Sequence, residues 1–156
     1  MKLPKSARLH HRSLQESLFR LGKPLYSTHL RMVWRAIDPE TLVKGFRDRV
    51  PPLIGPVQVL VSVPKKRRRK AVDRVLMRRR IREAYRASVA PLVEKVVGID
   101  GIRTLSVGLV YCKDSNAPYA VIAEEMEKLI DKLINKLETK YAETAPDSDL
   151  ADDTPD

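Results

Sequence analysis

Apolar residues recur at spacings of three and four between Pro118 and Lys140, where Ile122, Met126, Leu129, Ile130, Leu133, Ile134 and Leu137 make one stripe; this predicts an amphipathic helix. Glutamates 124, 125 and 127 open it and Lys128, Lys132, Lys136 and Lys140 follow, a polarity that suits the helix dipole and reads as solvated support. Earlier, Leu14, Leu18 and Phe19 give a short helix an apolar face, with Ser13 and Glu16 spaced as a capping box and Gly22 as its stop. Residues 23–37 read as extended: Met32 and Trp34 share one face, Arg31, Val33 and Arg35 the other, and Lys23 to Tyr26 can add a short hairpin partner.

Asp38-Pro39-Glu40 resembles an N-cap with proline at the first helical position, so a brief helix through Lys44 is expected in the Pro- and Gly-rich connection that runs to Pro56. Val57 to Val63 is a β-branched strand ended by Pro64. A helix from about Lys70 to Ser88, a second from Pro91 to Val97, and a strand over Ile102 to Tyr111 follow; the last is apolar enough for burial on both faces. Reduced to its principal elements, the order helix, strand, strand, arginine helix, strand, helix predicts an α+β fold with helices packed on one sheet.

Charge changes the picture. From Lys65 to Arg86 there are twelve Lys or Arg in twenty-two residues against Asp73 and Glu83 alone. On a helix, Arg74, Arg78, Arg82 and Arg86 form an i, i+4 stripe with Arg79 on its flank, and Val72, Leu76, Met77, Ile81, Ala84 and Tyr85 gather on the other side. Like charges at that spacing weaken a helix, so an uncompensated stripe implies a polyanion that neutralises it, and guanidinium forks match phosphate oxygens. Residues 143–156 hold six acids and no Lys or Arg, which leaves +16 on residues 1–142 of a chain whose net charge is +10. One basic domain over 1–142 and a disordered acidic tail over 143–156 are expected.

Several classes are disfavoured. Cys112 is the only cysteine, so neither an intrachain disulfide nor a cysteine zinc cluster is expected. His10 and His11 are adjacent, point apart and lack a third ligand nearby, which suits weak cationic contacts better than a metal. No apolar run has the length of a membrane span or signal core, and we expect a soluble cytoplasmic protein with no membrane partner. No metalloprotease, P-loop, serine-elbow or dinucleotide motif occurs, so no catalytic residue is expected on the chain. A DNA-binding regulator is disfavoured because the basic helix lies beside a sheet and no dimerising seam accompanies it. Trp34 is either a core anchor or a partly open stacking platform for an unpaired base.

VSVPKK at 61–66, KAVDR at 70–74 and RRRIREAYR at 78–86 together resemble the strand-to-helix signature of the bacterial ribonuclease P protein subunit. KSARL, LFRLGK and LRMVW fall in matching order, and the resemblance covers roughly residues 4–140. It implies a two-layer α/β sandwich of the ribosomal-protein type with a left-handed βαβ crossover, against the usual preference. It implies ribonuclease P RNA and precursor tRNA as partners, with the RNA and its Mg²⁺ as the catalyst that removes the 5′ leader. Arg74 matches the first arginine of the family's Arg-Asn-Arg motif, and Arg78, Arg79 and Arg82 match basic positions after it; with Lys65, Arg67, Arg68, Arg69, Lys70 and Arg86 they are the expected contacts to the catalytic RNA. Phe19, Trp34, Ser62 and Lys66 fall where family members line the leader cleft. Val75 and Leu76 replace the family's Asn and Arg, a loss that Arg79, Arg80 and the Arg67 to Arg69 run are expected to offset. A structural or ribosome-assembly RNA-binding protein would share the charge and fold, though not the joint match of the three motifs.

Overall fold

The computed structural model of the chain describes residues 3–46 and 54–142. The acidic tail from Glu143 and the prolines at 51 and 52 lie outside the described residues. After a single 3₁₀ turn at Lys5–Ala7 come α1 (Arg12–Leu21), β1 (Lys23–Tyr26), β2 (Leu30–Ile37), α2 (Pro39–Gly45), β3 (Val57–Ser62), α3 (Ala71–Ser88), α4 (Ala90–Val97), β4 (Thr104–Tyr111) and α5 (Tyr119–Ala142).

One sheet carries all four strands in the order β1-β2-β4-β3. β4 runs antiparallel to β2 and parallel to β3, so the β3–α3–α4–β4 segment is a βαβ crossover between neighbouring strands. The apolar run of β4 follows from its central place. Leu105, Val107, Leu109 and Tyr111 join the main core with Met32, Trp34, Val57 and Val59, under α3, α4 and α5. The α5 stripe buries Ile122, Met126, Leu129, Ile130, Leu133 and Leu137 there, at about 1.5–3 kcal/mol per large side chain. The opposite face is partly covered by α1 and α2, whose Leu14, Leu18 and Leu42 cluster with Leu9, Val33, Ile37 and Ile54. The α+β sandwich is as expected, with this smaller layer added on the second face.

Two local expectations fail. α1 starts at Arg12 with His11 at its N-cap and no side-chain cap; Ser13 lies inside the first turn, and Glu16 instead takes Arg12 Nε at 3.0 Å. Val72 is 70% exposed, because it lies five residues before the buried Met77 and so nearly opposite it on the helix. The α2 cap does form: the Asp38 carboxylate accepts the Thr41 N–H at 2.7 Å, with Pro39 following.

Gly22 ends α1 because nothing larger fits. A Cβ there would stand 2.4 Å from the Leu18 carbonyl oxygen and 2.6 Å from Val33 Cγ1. Its N–H donates to that same carbonyl at 2.7 Å, and the chain turns at once into β1. This close approach sets α1 down on β2 and β4 and fixes where Phe19 stands.

Candidate nucleic-acid interface

The arginine helix does not present its stripe evenly. Each i, i+4 step advances about 40° around the axis, so the row that ends on the outer side at Arg86 begins near the core side at Arg74. Arg74 therefore turns back on the loop before it and donates Nη1 to the carbonyls of Arg68 and Arg69 at 3.0 and 2.7 Å. Arg80 also points inward and donates to the Ala117 carbonyl at 2.5 Å. Arg86 is paired with Glu83.

Arg78, Arg79 and Arg82 are left, with side chains that take no partner among the described residues. They line a groove of about 630 Å³ between α3 and the N-terminal segment, whose other wall holds Leu3 and Arg8. Arg8 is a contributor that sequence reasoning missed; its place opposite α3 comes from the parallel bridge of Arg8 to Val59 and the Leu9 N–H bond to the Val59 carbonyl at 2.9 Å. Val75, 45% exposed, forms part of the same wall. So Arg8, rather than the inward Arg80, stands with Arg79 around the position where the family's polar residue is missing.

The loop 64–70 is tied to residues 114–116 and to α3 by its own arginines. Arg68 donates to Asn116 Oδ1 at 2.8 Å and to the Asp114 carbonyl at 2.5 Å, and pairs with Asp73 at 3.0 Å; Asn116 Nδ2 in turn donates to Asp73 at 3.0 Å. Arg67 pairs with Asp114 at 3.3 Å. Lys65, Lys66, Arg69 and Lys70 are exposed, and none of their side chains takes a partner among the described residues. The expectation that this whole run contacts RNA is thus divided: Arg68 and Arg74 build the loop, and the exposed four with Arg78, Arg79 and Arg82 are free to meet phosphate.

A second surface lies on the face of the sheet that α1 only half covers. Strand register aligns Ser62, Val110, Arg31 and Tyr26 in one row across β3, β4, β2 and β1. Three strand spacings of about 4.8 Å make this a track roughly 14 Å long. Phe19 borders it, 44% exposed and resting over Gly108, where a Cβ would meet its Cζ at 3.2 Å. Tyr26 closes the far end at 62% exposure. Phe19 and Ser62 lie on this same face of the sheet, and Lys66 follows four residues after Ser62.

Trp34 does not join them. It is 3% exposed in the main core on the opposite face, so the anchoring alternative is the one observed and the open platform is not. Period-2 alternation had already put Arg31 across from Trp34; Tyr26 and Arg31 were legible as partners on that side once β1 was in register.

Among the described residues no three or more His, Cys, Asp or Glu are grouped to hold a metal ion, and Asp73 and Asp114 are engaged by arginines. The protein's own side chains therefore do not fit a Mg²⁺ site there. His11 packs edge-on against Phe46 and its Nε2 is buried without a partner among the described residues; burial first, then His10 and Lys5, lower its pKa and so disfavour its charged form. No helix among the described residues is long and apolar enough to cross a membrane.

Comparison with known proteins bears on family and fold. The family model for Ribonuclease P matches residues 3–134. A ribonuclease P protein component of Microcystis aeruginosa is 28% identical over 132 residues, 85% of this chain and 94% of that protein. In fold, the chain is similar to the RNase P protein of Staphylococcus aureus (TM-score 0.57, 14% identity, 83% of this chain and 96% of that one) and to that of Thermotoga maritima (TM-score 0.53, 17% identity, 80% and 96%). With the three sequence motifs, the four-stranded sheet and its arginine helix, these matches establish that the chain belongs to the ribonuclease P protein family.

Proposed function

We propose that the protein binds the catalytic RNA of ribonuclease P through the α3 groove and loop 64–70, and the 5′ leader of precursor tRNA along the Ser62 to Tyr26 track. The RNA cuts the leader and holds the Mg²⁺ it needs; the protein raises affinity for both strands and supplies no catalytic group. We place this assembly in the cytoplasm.

The observation that carries the reading is the set Arg8, Arg78, Arg79 and Arg82 around one groove, where the one acid among the described residues, Glu83, is already paired with Arg86. Phosphates are the partner that relieves such a cluster. The track adds what a single strand needs: an exposed ring at Tyr26 on one end, Phe19 bordering it over Gly108, and Arg31 of β2 next to Tyr26 in the row, sequence-tolerant in the way of stacking surfaces.

The test is cleavage of a precursor tRNA at low Mg²⁺ by a bacterial ribonuclease P RNA, with and without the protein. Mature 5′ ends that appear only with both, and are lost on Arg79→Ala plus Arg82→Ala, support the reading. Tight binding to a working RNA with no gain in cleavage would instead favour a structural RNA-binding role.

A further inference from the structure

We propose that the lysine flank of α5 holds the distal part of the leader after it leaves the sheet over the β1 edge; this rests on the leader reading above. Helix α5 is segregated by charge. At about 100° per residue, Lys128, Lys132 and Lys136 fall within an arc of about 80°, and Glu124, Glu127, Asp131 and Glu138 within a separate arc of about 60°. The acidic arc faces α4, where Glu138 pairs with Lys95 at 2.8 Å. The basic arc borders β1: Lys132 Nζ donates to the Tyr26 carbonyl at 3.4 Å.

Only one acid, Glu125, shares the basic arc, and it is consumed. Its carboxylate takes the Ser27 hydroxyl at 2.6 Å, the His29 N–H at 2.9 Å and the His29 ring at 2.5 Å. Lys128 is shared with Glu124 at 3.5 Å, Lys132 reaches only a neutral carbonyl, and Lys136 has no partner among the described residues. Lys23 adds a cation at the same edge, 5.9 Å from the Trp34 ring centre. A strand that runs from Ser62 to Tyr26 and then bends round the β1 edge meets this flank next, where Lys132 already touches the Tyr26 backbone. Its phosphates find charge there and little base-reading chemistry, so the contact is expected to be independent of leader sequence.

The experiment uses the RNA–protein complex and two precursor tRNAs that differ only in a short or a long 5′ extension. Binding is measured over a salt series for the wild type and for Lys132→Gln plus Lys136→Gln, two exposed positions. In the wild type the long leader binds more tightly and with the steeper salt dependence. In the variant the slope difference between leaders falls by about 1.4, two single-strand contacts of about 0.7 each, and most of the long-leader advantage disappears. An unchanged long-leader advantage, or equal weakening on both substrates, overturns the α5 contact. A wild-type complex that binds the short-leader substrate no more tightly than a leaderless tRNA overturns the leader reading itself, so the two failures are distinguishable.

Discussion

Glu125 and His29 are joined twice, by the ring Nδ1 at 2.5 Å from one carboxylate oxygen and by the His29 N–H at 2.9 Å from the other, and through them the β1–β2 turn is tied to α5. Burial pushes the Glu125 carboxyl up, but the bonds from Ser27 and from the His29 backbone and ring outweigh it and hold the pKa below its ordinary 4.5. A carboxyl whose folded pKa is depressed stabilises the fold above its unfolded pKa, and that stability is lost as pH falls through the folded value. Glu125→Gln should cost about 1–2 kcal/mol at neutral pH. Urea unfolding of both proteins should show that difference shrinking below about pH 4.5.

Arg74 and Arg82 lie on one stripe and should behave differently. Arg74→Ala unpairs two loop carbonyls and should lower stability by about 1 kcal/mol, seen as an earlier denaturant midpoint. Arg82→Ala should leave the midpoint in place and reduce the salt slope of RNA binding by about 0.9, one phosphate contact on a duplex.

The aromatic residues divide the same way. Trp34→Ala should destabilise by about 3–5 kcal/mol as a core truncation. Tyr26→Ala should leave stability nearly intact and weaken binding of leader-bearing precursor tRNA by about 1–3 kcal/mol, one stacked base. A leaderless tRNA should not sense it.

Gly22→Ala places a methyl against the Leu18 carbonyl and Val33, so α1 must lift from the sheet. A loss of about 1–3 kcal/mol is expected from overpacking. Because Phe19 rides on α1, leader binding should weaken with it, as a titration on the same variant would show.

What could be read from the chain alone follows from which forces are local. The α5 stripe, the apolar run of β4 and the Asp38 cap each rest on residues near one another, and all three formed as expected. The polyanion partner was legible because charge needs no fold to be counted. The division of the arginines was not: that Arg68, Arg74 and Arg80 serve the loops depends on carbonyls and side chains brought up by the fold, as far away as Ala117. Trp34 was ambiguous for a related reason. Alternation separated its face from that of Arg31 but could not tell which side the larger helical layer would cover. Arg8 was hidden because its role is created by the bridge to Val59, fifty-one residues on.

The order β1-β2-β4-β3 has a consequence for how the molecule comes into being. Every ladder except the β1–β2 hairpin needs β4, the last strand to be synthesised, and β2 pairs with it across the span from Leu30 to Tyr111. Until that residue is made, α3 has no complete sheet to pack on, and its apolar side and its arginines emerge together. Contacts so distant in sequence form slowly. A partner that recognises the packed groove would bind the folded chain and not its precursor, and so would stabilise the native state by mass action.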